Sequence, residues 1–205
     1  MRARQAGDGR DTLFLLQHPR VYTLGKRTDR ANLLADDRWL RERGIELVEV
    51  DRGGDITYHG PGQLVGYPIL RLASTRGVVD YVRALEQVLI RALEAYDVQA
   101  RRIDGFTGVW VGEAKVAAIG VRVASKGVTS HGFALNVTTD LHDYTGIVPC
   151  GISDREVCSL ASLGIDTSVD EVADQVVAAV GEVFGATLET ATLDDLEHLD
   201  RKPVS

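Results

Sequence analysis

Residues Arg52 to Gln63 read Arg-Gly-Gly-Asp-Ile-Thr-Tyr-His-Gly-Pro-Gly-Gln, a stretch holding four glycines and a proline. That composition excludes helix and regular strand, since glycine loses the most conformational freedom on ordering and proline lacks a backbone N–H. Without a Cβ, Gly53, Gly54, Gly60 and Gly62 let backbone N–H groups approach a ligand closely. Arg52 and His59 add a fixed cation and a titratable donor. The alternating run Ile45 to Val50 lies just upstream, so a strand delivers a polar glycine loop, a frequent way of building a binding site on a rigid scaffold. A plain turn needs neither four glycines nor an Arg and a His.

The loop is not a nucleotide motif. Walker A requires Gly-Lys followed by Ser or Thr, and none of the four lysines is followed by either. The dinucleotide fingerprint opens a helix, whereas Gly66 and Pro68 in the run from Gln63 to Leu70 oppose one. Strand, glycine loop, strand is the expected order.

The 205 residues can bury one substantial core, and no linker divides them, so a single domain is expected. Residues 1–11 and about 190–205 are expected to be loosely ordered. Apolar runs reach about five residues, as at Val176 to Val180, too short for a membrane span. Leu13 to Leu16 is too short for a signal peptide. Two cysteines, Cys150 and Cys158, fit a reducing cytoplasm, and a net charge of −7 argues against nucleic acid as a partner.

Thr12–Gln17 and Val21–Leu24 read as short strands either side of His18-Pro19. Asp37 to Arg43 reads as a short helix closed by Gly44. A longer helix follows Gly77, with Val78, Val82, Leu85, Leu89, Leu93 and Tyr96 on one face. Gly108 to Val111 and Lys115 to Val123 form strands, the second with Lys115, Ala117, Ile119 and Val121 on one face. Val128 to Val137 is another strand, 138–153 a loop, and helices are expected at 155–163 and 169–184. Ser168 with Glu171 forms a capping box for the last of them. The fold class is α+β, a mixed or antiparallel sheet with packed helices.

Cys150 lies in Val148-Pro-Cys-Gly151. Gly151 opens the backbone beside the sulfur, where N–H groups could stabilise an oxyanion, and an expected helix N-terminus nearby favours a thiolate. Cys158, at helical spacing, is expected to pack. Lys115 stands in a strand of small apolar residues, where a lysine beside a thiol could hold the thiolate or accept a proton. His131 and Asp140 with Cys150 offer a rival, hydrolase-like grouping. His18, His142 and His198 have no supporting context. No metal-ligand spacing occurs, so no metal is expected.

Arg52 to Val65, Lys115-Val-Ala-Ala-Ile-Gly120, His131-Gly-Phe-Ala-Leu-Asn136 and Pro149-Cys-Gly-Ile152, taken as an ordered set over residues 12–163, resemble the lipoyl(octanoyl) transferases, octanoyl-acyl-carrier-protein:protein N-octanoyltransferases. The resemblance implies a biotin/lipoate protein ligase-like fold; a monomer in the cytoplasm with no cofactor is expected. It implies that Cys150 carries the acyl group as a thioester while Lys115 promotes the thiolate and handles protons. It assigns acyl-substrate binding to Arg52, Gly53, Gly54, Asp55, Ile56, Thr57, Tyr58 and His59, to Ala118, Ile119 and Gly120, and to Gly132, Phe133 and Ala134. The implied donor is octanoyl-acyl-carrier protein. The implied acceptors are lipoyl domains of 2-oxoacid dehydrogenases and the glycine cleavage H protein. Two departures stand out. An additional N-terminal strand and helix is expected before Asp11, where only ten residues precede it, and Cys158 replaces an expected Thr. The alternatives are an ATP-dependent lipoate–protein ligase of the same superfamily, a silent acyl- or lipoyl-domain-binding module, and a cysteine hydrolase.

Overall fold

The computed structural model describes residues 10–73, 77–149 and 155–192. Two sheets organise the chain. The larger has six antiparallel strands in the order β1-β5-β9-β8-β7-β6. These are β1 Thr12–Leu16, β5 Gln63–Ile69, β6 Ala100–Ile103, β7 Phe106–Val111, β8 Ala114–Val123 and β9 Thr129–Asn136. The smaller places β2 Val21–Leu24 between β3 Glu46–Glu49 and β4 Thr57–His59. In it β2 runs parallel to β3 and antiparallel to β4, so the two sheets together are mixed.

Helices α2 Val78–Glu94 and α3 Val169–Phe184 join the larger sheet in the main core, where Leu89, Leu93, Val172 and Val176 pack with Leu64, Val109 and Leu135. Ser168 Oγ accepts the Glu171 N–H and Glu171 accepts the Ser168 N–H, closing the expected capping box. The face of α2 differs from expectation in part. Tyr81, Val88 and Ala92 are fully or almost fully buried beside Leu85, Leu89 and Leu93, whereas Val78 in the first turn is half exposed. A second core joins Tyr22, Leu24, Ile45, Ile56, Tyr58, Tyr144 and Ile147, with Leu40 of α1 Asp37–Arg43 packed against it. Gly44 closes α1 in the left-handed conformation.

Three expectations change. The glycine segment does contain a strand: Thr57–His59 pairs with β2, with its glycines confined to either side. Residues 155–163 do not form one helix. Lys115 donates its N–H to Glu156 O, Cys158 donates to Lys115 O, and Leu160 donates to Asn136 O. Ladder bonds to the sheet thus take the groups a helix would need, leaving only a 3-10 turn at Ala161–Leu163. Finally, pairing of β7 with β8 steps from Val109↔Ala117 to Trp110↔Lys115. This bulge breaks the alternation expected across Lys115 and Ala117, so Val116 and Ala117 both join the main core while the Lys115 side chain lies over Trp110.

Of the ends expected to be loosely ordered, 1–11 and about 190–205, residues 1–9 and 193–205 lie outside the described residues, as do Cys150 and Gly151. Among the described residues no helix is long and apolar enough to cross a membrane.

Candidate active site

A cavity of about 630 Å³ lies between the two sheets, within the size range of small-molecule sites. Its apolar wall includes Phe14, Val21, Val48, Val50, Ile69 and Ile119, and its polar groups include Arg52, Thr23, Tyr67 and three histidines. Strand alternation sorts the glycine segment. Thr57 and His59 line the cavity, as do Arg52, Gly53, Gly54 and Asp55. Ile56 and Tyr58, on the opposite parity, lie in the second core instead. Ala118, Ile119 and Gly120 of β8 and Gly132, Phe133 and Ala134 of β9 complete the wall.

The glycine loop is held by close backbone packing. Gly54 has φ +90°, and a Cβ on Gly25 would meet Gly54 O at 2.4 Å. Lys26 and Arg27 donate their N–H groups to Arg52 O and Gly54 O, and Gly53 donates to Val121 O. Arg52 is itself part of the clamp: Nη2 donates to Thr23 O at 2.7 Å and to Thr23 Oγ1 at 2.9 Å. Asp55 accepts from Asn32 Nδ2 and from the Ile56 N–H, so its carboxylate secures the neighbouring turn.

His59 is buried, and its Nδ1 lies 2.8 Å from Gln63 Oε1. Burial pushes its pKa down to about 4, so the ring is neutral at pH 7. His18, read from sequence as having no supporting context, also lines the cavity, with Nε2 2.6 Å from the Tyr67 hydroxyl. Neither it nor Tyr67 carries a local motif; their pairing spans 49 positions of chain. His131 adopts φ +58°, uncommon outside glycine. Its Nε2 meets Asp51 Oδ1 at 2.7 Å. The His131 bond, then the Arg122 charge, hold the Asp51 carboxyl below its ordinary range against the opposing effect of burial. Asp140 is not part of this pair: it accepts from Arg43 and from the His142 N–H. The His131–Asp140 arm of the hydrolase-like grouping is therefore not assembled.

Lys115 is buried, and its Nζ sits 4.7 Å from the centroid of the Trp110 ring, a cation–π position. Gly108, at φ +123°, makes room for it: a Cβ there would meet Ala117 O at 2.6 Å and Lys115 Cε at 3.4 Å. Arg155 lies over the same indole at 5.5 Å. Lys115 does not line the cavity, but Ala118, three positions along β8, does. The segment Glu156–Cys158, which follows the Cys150 region in sequence, bonds to the backbone of Lys115 on both sides. Cys158 is buried in the main core, where burial pushes its thiol up to about 11. That leaves it a poor nucleophile. Cys150 itself lies outside the described residues.

The family model described as the lipoyl protein ligase A/B catalytic domain matches residues 1–181. A curated octanoyltransferase from Acidobacterium capsulatum is 52% identical over 200 residues, covering 89% of this chain and 81% of its own. A bipartite lipoate protein ligase from Thermoplasma acidophilum superposes with a TM-score of 0.75 at 21% identity, over 95% of this chain and 81% of that one. A biotin protein ligase from Aquifex aeolicus matches more loosely, with a TM-score of 0.52 at 18% identity over 80% and 70% of the chains.

Proposed function

The chain belongs to the lipoyl protein ligase A/B catalytic-domain family and is an acyltransferase of its octanoyltransferase group, and from that premise we propose that it moves an octanoyl group from octanoyl-acyl-carrier protein to a lysine of a lipoyl domain through a thioester on Cys150. The observation that carries this reading is the apolar cavity walled by the glycine loop, β8 and β9. Each buried CH₂ stabilises by about 0.8 kcal/mol, so seating the alkyl carbons of an octanoyl chain there contributes on the order of 5 kcal/mol. The acceptors would be the lipoyl domains of 2-oxoacid dehydrogenases and the glycine cleavage H protein. The single domain would work as a monomer in the reducing cytoplasm.

In the first step the Cys150 thiolate attacks the thioester carbonyl. The tetrahedral adduct expels the carrier's thiolate, which takes the proton that Lys115 holds from the Cys150 thiol, so one thioester replaces another and Lys115 is left neutral. In the second step the ε-amine of the acceptor lysine attacks the acyl-cysteine. An amide forms, the Cys150 thiolate leaves, and the proton shed by the amine passes to Lys115. The amide is more stable than the thioester it replaces, so the sequence runs forward without ATP. Splitting the transfer in two also avoids a three-body encounter.

Incubation with octanoyl-acyl-carrier protein, without ATP, should add one octanoyl mass to the intact protein, and hydroxylamine should remove it. An absolute requirement for ATP, or release of free octanoate at a rate independent of acceptor, would overturn the reading in favour of a ligase or a hydrolase respectively. Lys115→Met should slow alkylation of Cys150 by iodoacetamide at pH 7 about tenfold, the effect of roughly one unit in thiol acidity. Cys158, buried and weakly acidic, stays unlabelled in the same experiment. An unchanged rate against pH would remove Lys115 from thiolate formation.

A further inference from the structure

A run of buried amides connects His59 to the segment beside Lys115, and two backbone carbonyls fix the direction of every bond in it. Asn136 Nδ2 donates to Cys158 O at 3.0 Å. A carbonyl only accepts, so Asn136 Oδ1 must face the other way, towards Gln63 Nε2 at 2.9 Å. Gln63 Nε2 also donates to Tyr58 O at 3.2 Å, which fixes this second amide independently. The Tyr144 hydroxyl, 3.0 Å from Gln63 Nε2, donates to Asn136 Oδ1 at 3.2 Å and closes the cluster. Gln63 Oε1 is therefore the atom facing His59 Nδ1 at 2.8 Å. An amide oxygen cannot donate, so the hydrogen is on Nδ1.

We propose that Gln63 and Asn136 are positioning residues that lock His59 as its Nδ1–H tautomer, so that the ring offers the acyl cavity a bare Nε2 as a fixed acceptor for a substrate N–H. The inference deepens the octanoyl-transfer reading and rests on it for the identity of the substrate. Burial disfavours protonation of the ring most; the charges of Arg52, His18 and His131 add to that, and the bond to Gln63 opposes it. A histidine kept neutral down to about pH 4 is too weak a base to take a proton from an amine at pH 7. Its work is orientation, and the proton remains with Lys115. Two substrate N–H groups fit: the amide of the thiol-bearing arm on the acyl donor, and the ε-amine of the acceptor lysine.

Long-range ¹⁵N correlation spectra of the histidine-labelled full chain read the tautomer directly, with His59→Phe identifying its signals. The expected pattern is a protonated Nδ1 and an unprotonated Nε2 from pH 8 to about pH 5. An Nε2–H tautomer, or a doubly protonated ring at pH 7, would overturn the proposal whatever the enzyme transfers. Gln63→Glu replaces the amide by a carboxylate that favours imidazolium. It should give kcat/KM a new acid limb between about pH 6 and 8, about tenfold deep and recovering at higher pH. A uniform loss at all pH values would mark Gln63 as structural only and defeat its positioning role.

The source of the N–H is separated by half-reactions. His59→Phe should slow acylation by S-octanoyl-N-acetylcysteamine about tenfold but spare S-octanoyl-ethanethiol, which has no amide, if the donor arm supplies the N–H. It should slow only transfer from acyl-enzyme to a lysine peptide if the amine supplies it. Wild-type rates in both half-reactions would overturn the acceptor role.

Discussion

Cys150→Ala should abolish the octanoyl adduct and lower transfer to a lipoyl-domain lysine by at least about a thousandfold, since removing a covalent nucleophile takes with it every step built on it. The contrast with Cys158 makes the result specific. Cys158 lies in the main core, its Sγ donates to Ala114 O at 3.7 Å, and burial pushes its thiol up to about 11. Cys158→Ala should therefore keep the adduct and most of the activity, with a modest loss of stability from the vacated volume. Intact mass and tandem mass spectrometry of each variant after exposure to octanoyl-acyl-carrier protein decide the matter. An adduct that persists in Cys150→Ala would remove Cys150 from the mechanism.

The second large effect is on stability. Asp143 is fully buried at the junction between the small sheet, α1 and the 3-10 turn Leu141–Gly146. Its carboxylate accepts from the Tyr58 hydroxyl at 2.6 Å, from Arg20 Nε at 3.0 Å and from Arg43 Nε. Its main-chain oxygen accepts from the Tyr22 hydroxyl. Asp143→Ala leaves the buried Tyr58 phenol without its acceptor, while Arg20 and Arg43, which are part-exposed, lose a charge partner but can be solvated, a loss of about 2–3 kcal/mol. For a domain of this size about 1 kcal/mol moves Tm by roughly 2–4 °C, so a fall of about 4 °C or more is expected in thermal unfolding. Asp143→Asn, which can still accept, should fall less.

The pH dependence provides a second reading of the same cluster. Burial pushes the Asp143 carboxyl up, but bonds from Tyr58, Arg43 and Arg20 outweigh it and hold it below the ordinary carboxylate range. A carboxyl lowered on folding contributes stability that is complete above its unfolded value, near pH 4, and is lost as pH falls through the lowered folded value. Wild type should thus lose stability below about pH 4 more steeply than Asp143→Ala. Equal acid slopes, with Tm values within about a degree, would show that the cluster contributes nothing net.

Much of the site was legible in local sequence because its chemistry is local. Glycines packed into one loop have few explanations, and a lysine in a strand of small residues stands out against its neighbours. The histidines were harder. His59 gave a signal through the loop around it, but its tautomer depends on Gln63, Asn136 and the Cys158 carbonyl, which no spacing rule connects. His18 gave none, since its partner Tyr67 arrives only when β1 and β5 pair. The pairing of His131 with Asp51 rather than Asp140 likewise follows from Gly53 bonding to Val121, which brings the loop against β8. The expected helix at 155–163 failed because helical spacing describes only local preference, and the free edge offered by Lys115 supplied better partners for those backbone groups.

By itself the sequence determined the α+β class, the capped helices, the glycine loop and the residue types able to form a thioester and handle its proton. These rest on side-chain periodicity, backbone freedom and functional-group chemistry, all properties of neighbouring residues. Only the tertiary structure decided that Thr57 and His59 face the cavity while Ile56 and Tyr58 face the second core, that a bulge sets Lys115 over Trp110, and that Arg52 clamps its own loop to Thr23. The physical reason is that register, bulges and burial are set by which distant strands share hydrogen bonds, and those bonds do not exist until the two sheets have formed.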